Sequence, residues 1–173
     1  MQRTILRFGL ISGCIAAILL FGVTLFTKMI GYEKSFDYSA YLGYGAILIS
    51  MSLVYFGIRS FRDQEGAGTL TFSKGLLIGL GIMVVSCIFY SLAWLVIYYN
   101  FIPNFIEDYS QYASNKAQQA GAGPAELAKI TSQMDQLKAW YKNPFSIFAI
   151  TLTEPMPVGL LVTLVSAFIL KRK

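Results

Sequence analysis

Histidine is absent from this 173-residue chain, and charged residues are scarce. Without histidine, most catalytic triads, proton shuttles and zinc sites are excluded. Charged residues make up 13% of the chain, against roughly 25% in an ordinary soluble domain. This content argues against a disordered chain and against most water-soluble globular domains. The two cysteines, Cys14 and Cys87, form no ligand set, and we interpret them as small hydrophobic side chains.

Apolar residues account for 55% of the sequence, and the mean hydropathy is +0.57. They form four long stretches, and the only charge within these stretches is Glu154: residues 8–27, 38–58, 75–99 and 145–170. A helix needs about 20 apolar residues to cross the core of a bilayer. Continuous apolar stretches do not show the alternation of membrane β-barrel strands. The sequence therefore predicts an all-α integral membrane protein, a single domain built as a bundle of four transmembrane helices.

The distribution of basic residues predicts the orientation of the chain in the membrane. The net charge of +5 would suit nucleic acid in a soluble protein, but in so apolar a chain it favours the cytoplasmic face of a membrane. With a cytoplasmic amino terminus, the inner segments hold eight basic and two acidic residues, whereas the outer loops hold six of each. We therefore expect both termini to be cytoplasmic, and no nucleic-acid partner.

The first apolar stretch also contains a sequence that imitates the cleavage site of a bacterial lipoprotein. Residues 10–14 read Leu-Ile-Ser-Gly-Cys. Only about six apolar residues precede Cys14, fewer than the 7–15 of a signal-peptide core, and about a dozen more follow it. An uncleaved first span is therefore the favoured interpretation.

Small residues recur at four-residue spacing within three of the four stretches. Such residues let membrane helices approach closely. Each set lies along one helix face: Gly9, Gly13 and Ala17; Gly75 and Gly79; Gly159, Thr163 and Ala167. The pattern predicts contacts within the bundle, and a seam between two copies of the chain is the alternative.

The segment 104–143 is polar and is divided by residues 121–124, Gly-Ala-Gly-Pro. Such a sequence stops one helix and starts another. Apolar side chains recur at helical spacing in both halves: Phe105, Tyr109 and Tyr112, then Leu127, Ile130, Met134, Leu137 and Tyr141. We expect an extracytoplasmic helical hairpin whose apolar faces pack on each other. The alternative is that one of these faces binds a protein partner.

The short connection on the predicted inner side carries two arginines, and a lysine follows at the start of the third span. Arg59, Arg62 and Lys74 are candidate contacts for lipid phosphate or for a partner. The alternative is that they belong to a solvated turn that only sets the topology.

Glu154 is followed by Pro155 and Pro157 inside the fourth stretch. It lies about 12 residues beyond Lys142, or roughly 15–18 Å along a helix. An acid within a membrane is a candidate functional residue, and prolines kink a helix because they lack a backbone N–H. Three interpretations stay open: a functional, proton-linked carboxyl beside a kink; a structural hydrogen bond to a neighbouring Ser or Tyr; or a position in the outer interface, if the helix begins only after Pro155.

Several short sequences together resemble a known family. They are residues 56–63 (FGIRSFRD), 71–76 (TFSKGL), 101–105 (FIPNF), 141–144 (YKNP) and 154–160 (EPMPVGL). In this order and spacing they resemble the bacterial membrane family called domain of unknown function 4199, over essentially the whole chain. The resemblance implies the same four spans, a bacterial origin and therefore the bacterial inner membrane. It implies no activity and no ligand.

The functional prediction is a non-enzymatic structural, accessory or interaction protein of the bacterial cell envelope. The alternative is an oligomeric bundle that conducts protons or a small solute through Glu154 and the Pro155/Pro157 kink. Enzyme activity is disfavoured because the chain has neither histidine nor a second intramembrane carboxylate nor a nucleophile motif. The expected partners are the lipid bilayer, a protein at the outer hairpin and further copies of the chain, with no cofactor and no metal.

Overall fold

A computed structural model describes residues 1–172, apart from the side chains of residues 32–34. Within this range the structure is helical, and its only β-type pairing is an isolated bridge between Leu70 and Arg172. The helices follow one another as α1 (Gln2–Ile30), α2 (Tyr32–Gln64), α3 (Phe72–Phe101), α4 (Phe105–Gln119), α5 (Pro124–Tyr141), α6 (Pro144–Thr153) and α7 (Met156–Leu170).

Four helical segments are long and apolar enough to cross a membrane, as the sequence predicts. They are Gln2–Ile30, Ser35–Gln64, Phe72–Phe101 and Pro144–Leu170, the last of which combines α6 and α7. A helix satisfies its own backbone hydrogen bonds, which is what a chain in lipid requires. The chain is therefore a membrane protein.

The beginning of α1, the α2–α3 connection and the residues after α7 meet at one end of the molecule, called here the terminal end. Glu65 accepts hydrogen bonds from the Met1 amino group and the Thr4 hydroxyl. Leu70 and Arg172 exchange two backbone hydrogen bonds of 2.8 Å. The opposite end, called the hairpin end, contains the α1–α2 turn, α4 and α5. The two ends are thus formed by different segments of the chain.

Helix α3 is the centre of the packing, since it contacts α1, α2, α6 and α7. The small residues lie at these contacts. A β-carbon placed on Gly13 would lie 2.5 Å from Cβ of Phe89, and one placed on Gly79 would lie 2.6 Å from Cγ2 of Thr163. Both distances are too short for any side chain, so glycine is required for the helices to approach. The three small-residue stripes are therefore used inside the chain.

A buried cluster of three serines joins α1, α2 and α3 near the middle of the molecule. The Ser12 hydroxyl donates to the backbone carbonyl of Ser50 at 2.7 Å and lies 2.9 Å from the Ser86 hydroxyl. All three residues are fully buried. Hydrogen bonds between membrane helices hold them in register, because an unpaired polar group is costly in lipid.

Candidate functional site

The fourth span is broken at the position that its prolines predict. Helix α6 ends at Thr153, Glu154 is its C-cap, and Pro155 is the N-cap of α7. Pro157 stands in the first turn of α7, where a missing N–H is tolerated. Because α6 already begins at Pro144, the helix does not start only after Pro155. Glu154 lies roughly 15 Å along the helix from Pro144.

The Glu154 carboxylate is paired with a tyrosine of α3. The Tyr90 hydroxyl donates to Oε2 of Glu154 at 3.0 Å, and only 5% of Tyr90 is exposed. This is the kind of bond that the structural interpretation of Glu154 predicts. Glu154 itself remains exposed, however, so this hydrogen bond does not enclose the carboxylate in protein.

Glu154 and Tyr90 line a cavity of about 350 Å³ near the hairpin end. Among the described residues that line it, Glu154 alone is an acid, and none is lysine or arginine. Hydroxyl groups of Thr24, Thr27 and Ser39 add polar surface. Six of the lining residues are aromatic: Phe36, Tyr44, Tyr90, Trp94, Phe105 and Tyr141. The cavity therefore combines one carboxylate with many ring surfaces.

The break in the fourth span explains why this cavity exists. Among the described residues, α2 packs along α7, whereas α6 packs against α3 and α5 and has little contact with α2. Close contact with α2 is therefore confined to the part of the fourth span after the break at Glu154 and Pro155. The cavity fills the resulting gap and is flanked by residues of both helices, such as Gly43 and Ile150.

Helix α4 borders the cavity at the hairpin end through Phe105, and it is attached there to the start of α2. The Phe36 ring contacts the rings of Phe105, Tyr109 and Tyr112 at centroid distances of 5.9, 5.5 and 5.0 Å. Only 7% of Phe36 is exposed. Phe105 in turn packs edge-on against Trp94 of α3, at 5.1 Å. The aromatic contacts thus connect α2, α4 and the cavity wall.

A charged contact reinforces this attachment. Asp37 accepts hydrogen bonds from the Tyr112 hydroxyl and the Lys116 ammonium group. The hydrogen bond to Asp37, with a second to Tyr112, raises the pKa of Lys116 above its usual value. The pair is exposed, so it orients α4 more than it stabilises the fold.

The second helix of the hairpin contributes its last residue to the cavity. Tyr141 lines the cavity, and its ring lies 5.2 Å from that of Tyr98. Burial raises the pKa of Tyr141 to about 12, so its hydroxyl is neutral at physiological pH. The rest of α5 has no fully buried residue, and the apolar stripe from Leu127 to Leu137 is half-buried. A protein partner on this hairpin stays a prediction.

The basic candidates of the inner connection lie apart from Glu154, at the terminal end. Asp63 pairs with Arg62, whose Nε lies 2.7 Å from Oδ1, and more loosely with Arg59, at 3.7 Å. Lys74 is exposed on the first turn of α3. The structure therefore does not join Arg59, Arg62 and Lys74 to the cavity. Within the described part of the chain, no three Cys, Asp or Glu side chains are grouped so as to hold a metal ion.

Together these features define an all-helical membrane protein with four helices able to cross a bilayer and an acidic, aromatic cavity near one end. A family model described as Protein of unknown function (DUF4199) matches residues 7–172, nearly the whole chain. The chain belongs to this family, as its sequence resemblance predicts. A search of curated proteins and a search of solved structures each found no match.

Proposed function

We propose that this chain is a non-enzymatic protein of the bacterial cell envelope that acts by binding, and that the Glu154 cavity is its binding site. In this proposal the four spans form a bundle in the inner membrane, both termini are cytoplasmic, and the hairpin is outside. The positive charge of the predicted inner segments supports this orientation.

One observation carries the proposal: an intramembrane carboxylate faces a cavity instead of being enclosed by protein. The break at Pro155 costs backbone hydrogen bonds, and an ionised acid within the membrane is costly. A purely structural helix would avoid both costs. Features that cost stability in this way usually occur at functional sites. The volume of about 350 Å³ also lies within the range of small-molecule sites, roughly 300–1,000 Å³.

The proposal predicts that a molecule copurifies with the protein and depends on the space in the cavity. Gly43 lines the cavity, and no atom lies within 4 Å of a β-carbon placed on it, so Gly43→Trp should fill the cavity without disturbing the fold. Mass spectrometry of extracts from the purified protein measures what is bound. We expect about a tenfold loss of the bound molecule in Gly43→Trp relative to the unmodified chain.

The matched control is Gly22→Trp. Gly22 is exposed, lies outside the cavity, and likewise has no neighbour within 4 Å of an added β-carbon. It should retain the bound molecule in full. Equal recovery of every small molecule from the unmodified chain and both variants would contradict the proposal.

Proton conduction by an oligomer is the second candidate, and one observation favours it. Ser86 lies one helical turn from Tyr90 toward the terminal end, and its hydroxyl contacts that of Ser12. Hydroxyl groups therefore continue from Glu154 toward the middle of the molecule. Proton flux into proteoliposomes, compared between the unmodified chain and Glu154→Gln, tests this candidate. A flux that Glu154→Gln abolishes would support it, and an unchanged flux would exclude it.

A further inference from the structure

We propose that the Glu154 cavity binds an organic cation, an ammonium group carried on an apolar body. This inference rests on the proposed function, because it names the ligand class of the same cavity. It follows from the charge of the cavity, from its rings and from its opening.

The charge of the cavity favours a cation. Glu154 is the one acid among the described lining residues, and they include no basic side chain that could neutralise it. The Tyr90 hydroxyl supplies one hydrogen bond, to Oε2, whereas an ionised carboxylate has about four acceptor positions. A ligand ammonium group would offset the cost of a negative charge within the predicted membrane region. An anionic ligand would meet no positive charge and would be repelled.

The rings of the cavity favour an organic cation over a metal ion. Aromatic faces attract cations, and several rings around one position are how proteins recognise quaternary ammonium groups. Tyr44, Tyr90 and Trp94 line the cavity together with Glu154. Tyr44 belongs to α2, Tyr90 and Trp94 belong to α3, and Glu154 is the C-cap of α6. A small hydrated metal ion would need several oxygen ligands, and the described residues provide no such group.

The opening and the remaining lining favour an apolar body. The cavity is flanked by α2 and α6, which have little contact with each other. In the proposed topology this gap between the two helices lies within the bilayer and would admit an apolar ligand from the lipid. Leu20, Ile47 and Ile102 supply aliphatic surface. A free lipophilic amine fits this chemistry. The ammonium group of a phospholipid shares it, although the adjacent phosphate would find no basic partner in the lining.

The two tryptophans of the chain allow a direct binding test. Trp94 lines the cavity and Trp140 is exposed on α5, so Trp140→Phe leaves Trp94 as the only tryptophan. The probes are benzyltrimethylammonium and neopentylbenzene, which has nearly the same shape without the charge. In this background, we expect benzyltrimethylammonium to change Trp94 fluorescence saturably. Neopentylbenzene should bind at least about tenfold more weakly.

Substitution of Glu154 tests whether its carboxylate causes the preference for the cationic probe. Glu154→Gln should weaken binding of the cation about tenfold or more and leave the neutral probe unaffected, whereas Asp135→Asn, an exposed acid on α5, should change neither. Should Glu154→Gln not fold by circular dichroism, Tyr44→Leu provides the second test. Tyr44 is largely exposed, so its loss should spare folding and reduce the affinity for the cation alone.

Reconstitution of the protein in nanodiscs of different lipid composition distinguishes two sources of the cation. If phosphatidylethanolamine competes with benzyltrimethylammonium, the site binds a lipid amine. If phosphatidylethanolamine does not compete, the site binds a free amine. Both results support the inference.

The inference that the cavity binds an organic cation would be overturned by equal affinity for the two probes, or by unchanged cation affinity in Glu154→Gln. If a molecule still copurifies in a way that depends on Gly43, only the ligand class is wrong; if none does, the proposed function fails as well.

Discussion

Gly79→Leu is expected to lower the thermal stability of the chain strongly. A β-carbon at this position would lie 2.6 Å from Cγ2 of Thr163 and 3.0 Å from Cδ1 of Ile58. The helices α2, α3 and α7 would have to separate to accept the rest of a leucine side chain. Overpacking of this kind costs roughly 1–3 kcal/mol or more.

The measurement is the thermal unfolding of the detergent-solubilised protein, together with its abundance in membranes. Gly22→Leu is the matched control, because it adds the same side chain at an exposed position without neighbours. It should leave both quantities unchanged. A Gly79→Leu variant as stable as the control would show that α3 does not pack as described.

Phe36→Ala is expected to loosen α4 by releasing it from α2. Phe36 is almost fully buried and contacts three rings of α4, so its truncation removes the aromatic contacts that join α4 to α2. Truncation of a buried phenylalanine costs about 3–5 kcal/mol, although α4 needs to open only locally. We expect cleavage by an added protease within α4 to become at least about tenfold faster.

The neighbouring residue Tyr38 provides the control for this prediction. Its ring is 68% exposed, so Tyr38→Ala removes a ring from the same part of α2 without a comparable loss of packing. Asp37→Asn should have an intermediate, smaller effect, since the exposed pair with Lys116 contributes little. Cleavage of Phe36→Ala at the rate of Tyr38→Ala would show that Phe36 does not hold α4.

The features that depend on local sequence could be predicted. Long stretches without charge predict apolar helices, because only a helix satisfies its backbone in lipid. Pro155 and Pro157 predict the break beside Glu154, because neither has a backbone N–H. The small-residue stripes predict close helix contacts, and Gly13 and Gly79 lie at such contacts.

The contacts between distant residues could not be predicted. The pair of Tyr90 and Glu154 joins residues 64 positions apart, and its formation depends on how α3 and α6 are rotated about their axes. The same holds for Ser12 with Ser86, and for Phe36 with α4. A single sequence does not fix these rotations. The sequence therefore predicts the acid and the kink but not the cavity that they share with the aromatic residues.

We propose that the cavity lies in the outer half of a chain that crosses the inner membrane four times. Labelling of single cysteines in intact cells with a membrane-impermeant maleimide tests this topology, in a Cys14→Ser, Cys87→Ser background. Ser132→Cys on α5 and Ala40→Cys in the cavity should react from outside, and Gln64→Cys at the terminal end should react only after permeabilisation. Labelling of Gln64→Cys in intact cells, with protection of Ser132→Cys, would contradict the account.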